Sequence, residues 1–95
     1  MNIIEIIRFS GRQEDLLSMA KELEVSGDLK LVNEEEGCFY FQFFCPVSND
    51  GLLLLEKWES EEALDNHHET PMMANLLALI KKYSLKLEVE KYTVD

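Results

Sequence analysis

Two neighbouring segments, residues 37–44 and 52–58, carry large apolar side chains at both odd and even positions. In a strand with one wet face, apolar and polar residues alternate, because successive side chains point to opposite sides. Here Phe39, Phe41 and Phe43 fall on one parity and Cys38, Tyr40 and Phe44 on the other, while Leu52-Leu53-Leu54-Leu55 supplies both. Gly37 opens the first segment, Pro46 ends it, and Asn49-Asp50-Gly51 is turn chemistry that brings the chain back. The pair is therefore predicted to be a β-hairpin that needs cover on both faces.

The flanking sequence supplies cover for only one of them. An isoleucine-rich run over residues 2–9, bounded by Ser10-Gly11, reads as a first strand. Leu16, Met19, Ala20 and Leu23 follow at helical spacing, with Gln13, Glu14, Lys21, Glu22 and Glu24 on the wet side. Ser26-Gly27-Asp28 should stop that helix; Leu29-Lys30-Leu31-Val32 reads either as an extra turn or as an extension into the acidic run Glu34-Glu35-Glu36, expected to be a solvated loop.

After the hairpin, Ser60 is a plausible N-cap, with Glu61 and Glu62 at the positive end of the helix dipole. Thr70-Pro71 is a second cap with Pro at the first helical position. It opens a helix with a Met73, Leu76, Leu77, Ile80 stripe and Lys81-Lys82 near its end. Residues 85–92 alternate as a last strand. The order β-α-β-β-α-β is the split βαβ, ferredoxin-like arrangement, an α+β fold with an antiparallel sheet. Helices on one side leave the other sheet face apolar and bare, so a homodimer joined sheet to sheet is expected.

Length and charge narrow the rest. The 95 residues suffice for one domain, residues 1–95, with a single modest core. A net charge of −10 argues against nucleic-acid and anionic-membrane partners, which need clustered Lys and Arg. The runs Ile3-Ile4-Glu5-Ile6-Ile7 and Leu52–Leu55 are too short for a signal h-region or a membrane span, so a cytoplasmic location is expected. Cys38 and Cys45, on one extended segment, would stand roughly 23 Å apart at ~3.3 Å per residue. They cannot bridge each other, and they read as small buried apolar side chains.

The residue types that could carry chemistry gather around the third strand and the helix after it. Glu56 and Trp58 share strand parity, and His67 follows Ala63 and Leu64 at spacings of four and three, which aims it along the apolar helix face. A ligand could meet Trp58 and His67 between sheet and helix. Equally, Trp58 could be a core anchor and His67 a buried histidine bonded to a carbonyl or to Glu56. His67-His68-Glu69 lacks the i, i+4 histidine pair that sets two ligands on one face, so no metal site is expected; His68 should turn outward near Asp65. Glu5 and Arg8 have opposite parity, so only one of them can face a pocket.

Several segments together resemble the antibiotic biosynthesis monooxygenase family of small dimeric α+β barrel proteins. They are Ile6-Ile7-Arg8-Phe9, Glu36-Gly37-Cys38-Phe39-Tyr40-Phe41, and Glu56-Lys57-Trp58-Glu59-Ser60-Glu61-Glu62-Ala63-Leu64 with His67 and Thr70-Pro71. The resemblance covers nearly the whole chain. It implies a dimer, a pocket between helices and sheet, and monooxygenation of a quinol or anthrone-like aromatic without flavin, haem or metal, hence no cofactor. The substrate supplies the electrons once deprotonated, so the protein needs a base, an oxyanion partner and a dry pocket.

Carried onto this chain, His67 would be the base, Trp58 a stacking wall and hydrogen-bond donor, and Glu56 the orienter of His67. Arg8 or Tyr40, according to the face each occupies, would hold the phenolate, with Phe39, Phe41, Met72 and Met73 as apolar lining. The resemblance has departures. The haem-degrading branch has a first-strand asparagine where this chain has Ile7 and a helix histidine where it has Leu77, and Met72 stands where many relatives carry a histidine. The connection over residues 25–29 is also longer than is typical. Two other functions stay open: a non-catalytic dimeric protein that binds a small apolar or aromatic molecule, and an isomerase or degrading enzyme for a phosphorylated signalling sugar. The second is disfavoured by an expected pocket poor in Lys and Arg.

Overall fold

The computed structural model describes residues 1–95 and shows an α+β fold in the order β1 (Asn2–Ser10), α1 (Gln13–Val25), α2 (Asp28–Asn33), β2 (Cys38–Phe44), β3 (Leu52–Trp58), α3 (Glu61–His68), α4 (Pro71–Lys82), β4 (Lys86–Val94). The strands form one sheet in the order β2-β3-β1-β4, and every neighbouring pair is antiparallel. This is the ferredoxin-like topology expected from the element order, with an added short helix, α2, where Leu29–Val32 was ambiguous.

Local chemistry explains the added helix. Gly27, at φ 87°, makes the left-handed turn out of α1. Asp28 is buried because Ser26 Oγ donates to its carboxylate at 2.9 Å and Asn75 Nδ2 of α4 at 3.2 Å. At the other end Asn33 clasps β2: its Nδ2 donates to the Phe41 carbonyl and its Oδ1 accepts from the Phe41 N–H, both at 3.0 Å. The helix thereby locks the centre of β2 before the hairpin turns.

The later helices start where the caps predicted. Ser60 Oγ accepts from the Ala63 N–H at 3.1 Å. Thr70 Oγ1 accepts from the Met73 N–H at 3.3 Å and donates to the His67 carbonyl at 2.7 Å, so one hydroxyl joins the end of α3 to the start of α4. That junction fixes the backbone carrying His67.

The helices cover one face of the sheet. Ile3, Glu5 and Phe9 of β1, Leu52, Leu54, Glu56 and Trp58 of β3, and Phe41 of β2 are buried there with Leu16, Met19, Leu23, Leu64, Met72 and Leu76 from the helices. On the other face, Ile4, Ile6, Tyr40, Leu53 and Leu55 are only half-buried and Phe44 is exposed. Strand β4 is less well covered than its alternation implied. Leu87 and Val89 share the helix side with Phe9 and Ile7, yet both are exposed, because β4 is an edge strand beyond the reach of the helices.

One strand departs from simple alternation. Between Cys38 and Tyr40 the β2–β3 ladder shifts register, with Cys38 opposite Trp58 and Tyr40 opposite Lys57. The extra residue is Phe39, 55% exposed under the Lys57 ammonium, which sits 5.4 Å from its ring centroid. Cys38 therefore shares the covered face with Phe41 and Phe43, and Phe39 does not. The two cysteines are free thiols, as expected, but Cys45 is exposed and not the buried apolar residue predicted.

The bulge begins beside a close approach of backbone to helix. Gly37 has φ 82°, and a Cβ there would lie 2.6 Å from the Ala63 Cβ of α3. Gly37→Ala is expected to cost about 2 kcal/mol from left-handed strain and overlap together, read as a lowered urea midpoint with an unchanged slope.

Candidate functional site

The expected cluster forms, though with a different wiring. Trp58 from the end of β3 and His67 from the last turn of α3 pack ring against ring, with centroids 4.7 Å apart and planes 30° from parallel. Phe41 meets His67 edge-on at 5.6 Å. Trp58 is fully buried and His67 nearly so. Parity and helix spacing place these two side chains where they were predicted.

Glu56 has a different partner. Trp58 Nε1–H donates to Glu56 Oε1 at 3.0 Å, whereas His67 Nε2 stands 4.0 Å from the same oxygen. The residue that holds His67 is Glu35, whose carboxylate oxygens lie 3.2 and 3.3 Å from Nδ1. The solvated loop expected over Glu34–Glu36 thus sends one carboxylate inward. Because a carboxylate only accepts, the hydrogen of a neutral His67 sits on Nδ1, and Nε2 turns its lone pair toward Glu56.

Burial sets the charge states. It pushes Glu56 up to about 7, against the Trp58 hydrogen bond that favours the anion, and the Glu5 and Glu35 charges raise it further. Burial also lowers His67, opposed by the bond to Glu35, so the ring is neutral at pH 7. The Cys38 thiol, desolvated and near Glu35 and Glu56, rises to about 11 and is inert as a nucleophile at neutral pH.

Of the two first-strand candidates, Glu5 and not Arg8 faces the cluster. It is directly opposite Glu56 in the β1–β3 register and 9% exposed, and its pKa is raised by burial. The signal was a lone carboxylate at an inward position between Ile3 and Ile7. Glu35 gave no comparable signal, since its contact with His67 spans 32 residues of chain.

The other expected site residues lie elsewhere. Arg8 is exposed on the open sheet face and ion-paired with Glu90. Tyr40 is on that same face. Neither can reach a phenolate beside His67, because the sheet lies between. Met72 is buried in the core among the helices, Met73 packs against that core, and Phe39 is displaced by the bulge. His68 is exposed, as expected. No group of three or more His, Cys, Asp or Glu side chains is placed to hold a metal ion.

The apolar cleft nearest this cluster opens between α1, α2 and β2. It encloses about 470 Å³; Leu17, Ala20, Leu29, Phe41 and Phe43 form its apolar wall, and Lys21, Glu24, Asn33 and Gln42 its polar one. Phe41 belongs to both places, touching His67 on one side and the cleft on the other. Neither this cleft nor the four others lined by Ser18 and Val25, Glu36 and Glu59, Gly11 and Arg12, or Leu23 and Asn75 is lined by Trp58, Glu56 or His67. An aromatic wall therefore separates the cleft from the acid–base cluster.

Residues 3–78 match the antibiotic biosynthesis monooxygenase family. The chain belongs to this family. Its fold is shared with solved structures of low sequence identity. A candidate antibiotic biosynthesis monooxygenase from Nitrosomonas europaea aligns with a TM-score of 0.85 at 12% identity, covering 98% of this chain and 89% of that one. One from Deinococcus radiodurans gives 0.78 at 18%, covering 100% and 93%. SnoaB, a cofactor-independent oxygenase from Streptomyces nogalater, gives 0.75 at 10%, covering 99% and 93%. No protein of curated function matches this family member, and none of its helices is long and apolar enough to cross a membrane.

Proposed function

We propose that this family member is a cofactor-independent monooxygenase acting on a quinol or anthrone-like aromatic. The observation that carries the reading is the buried pair of His67 and Glu56, with Nε2 4.0 Å from Oε1, the imidazole stacked on Trp58 and the carboxyl accepting the Trp58 N–H; burial lowers the pKa of His67 and raises that of Glu56 to about 7. A flat substrate seated on Phe41 and Phe43 presents its acidic hydroxyl toward His67 once Phe41 turns out of its 5.6 Å edge contact. His67 accepts the proton at Nε2, the nitrogen that also faces Glu56, and Glu35, bonded to Nδ1–H, steadies the imidazolium that forms. The electron-rich anion then reduces dioxygen. For an anthrone-type methylene, the carbon loses two hydrogens and gains one oxygen as a carbonyl, and the second oxygen leaves as water.

Trp58 is a wall in this scheme and not a donor to substrate, since its N–H is already given to Glu56. Oxygen uptake with a panel of hydroquinones and anthrones tests the reading. The wild type should consume oxygen, and His67→Ala should be slower by roughly 10²-fold, the usual worth of a general base. Equal uptake by wild type and His67→Ala would remove His67 from the chemistry. A second reading, a binding protein without turnover, is favoured by the packed wall between cleft and cluster; saturable binding of the same aromatics with no oxygen uptake would select it.

The open sheet face supports a homodimer joined sheet to sheet as the working form. Its central strip of Ile4, Ile6, Tyr40, Leu53, Leu55 and Phe44 is the apolar surface such an interface would cover.

A further inference from the structure

Across the covered face of the sheet, one row of cross-strand partners runs from the cleft to the solvent edge: Phe41 on β2, Glu56 on β3, Glu5 on β1 and Lys91 on β4. Directly opposed side chains in an antiparallel ladder have Cβ atoms about 5 Å apart, and like charges so placed are destabilising. Glu56 is 3% exposed and Glu5 9%, so water screens neither well. Two buried carboxylates side by side cannot both ionise cheaply.

We propose that Glu5 and Glu56 bind a single proton between them, and that Glu5 is a positioning residue whose negative charge keeps that proton on Glu56, facing His67. The surroundings make the two members unequal. Glu5 faces Lys91 from β4 and His68 and Glu61 from α3, and the first two favour its anion. Glu56 faces Glu35 from the α2–β2 connection, His67 from α3, Cys38 from β2 and the Trp58 N–H. Apart from that single N–H it has no donor, and two carboxylates press on it. The proton therefore rests on Glu56, within a short movement of the unprotonated Nε2 of His67.

The claim concerns the protein's own protons and holds whether or not it oxidises a quinol, so its failure would leave the proposed reaction standing. Trp58 is the only tryptophan in the chain; it donates to Glu56 and stacks on His67, so its fluorescence reports the charge of that carboxyl near pH 7 and of the imidazole at lower pH. The wild type should show a transition near pH 7, absent in Glu56→Gln. In Glu5→Gln the midpoint should fall by about one pH unit, as expected on removing one adjacent like charge. An unchanged midpoint in Glu5→Gln, or a transition near pH 7 that persists in Glu56→Gln, would overturn the proposal. Carbon-13 carboxyl shifts of the wild type give the same answer without a variant. Mutually dependent, two-step titration of the two glutamates is expected, and two independent single-step curves would refute the shared proton.

Discussion

Replacing Glu56 by glutamine should stabilise the protein by roughly 3 kcal/mol at pH 8 while leaving its stability near pH 4 unchanged. The sign follows from linkage. Glu56 ordinarily titrates at 4.5 and is raised to about 7 by burial in the folded chain. Between those values the folded state binds more protons than the unfolded one, so stability falls as pH rises. The contribution of the neutral carboxyl is complete below 4.5 and is lost by the time pH passes 7. Above that, folding requires an anion in a place that water does not reach. Glutamine matches the neutral carboxyl in shape, and its carbonyl can still accept the Trp58 N–H, so the variant avoids the ionised state without breaking the bond.

His67 acts in the opposite direction. Its lowered pKa contributes stability above 6.5 that disappears as pH falls. Both proteins carry it, so the difference between their urea unfolding curves at pH 4, 6 and 8 isolates Glu56. Equal stabilities at pH 8 would mean that Glu56 is ionised at little cost.

That carboxyl also shows what could be read from the chain and what could not. Strand parity put Glu56 and Trp58 on one face, helix spacing turned His67 toward them, and the Ser60 and Thr70-Pro71 caps fixed the helix starts, all from interactions within a few residues. The failures share a different cause. A bulge inserts one residue without altering local propensity, so Phe39 and Cys38 changed faces relative to a count by twos. The partner of His67 came from an acidic run that, by composition, belongs in water; only the tertiary approach of the α2–β2 connection brings Glu35 inward. Glu5 was legible as an inward carboxylate, but its consequence depended on knowing that β1 pairs with β3 in the register that sets it against Glu56. Local periodicity therefore located the site, and long-range register decided which of its groups are coupled.

Leu55→Glu should abolish the proposed sheet-to-sheet dimer and leave a folded monomer. Leu55 lies in the middle of the open face, opposite Ile6 on β1 and Gln42 on β2, with Ile4, Leu53 and Tyr40 around it. In a single chain this side chain points toward solvent, so a carboxylate there remains hydrated and the fold loses little. In a sheet-to-sheet dimer the same carboxylate would be stripped of water against an apolar partner surface. That costs several kcal/mol at each of two symmetry-related positions, because an isologous interface meets every substitution twice. Leu54→Glu, one residue earlier and on the covered face, should instead unfold the chain, which separates loss of association from loss of fold.

Light scattering at low micromolar concentration should give twice the 11.0 kDa chain mass for the wild type and the single mass for Leu55→Glu, with matching far-ultraviolet circular dichroism. Each chain carries a net charge of −10, so two copies repel, and raising the salt concentration should tighten the wild-type dimer. A wild type that scatters as a monomer across that salt range would show that the apolar face tolerates water. The sheet-to-sheet dimer would then have to be abandoned.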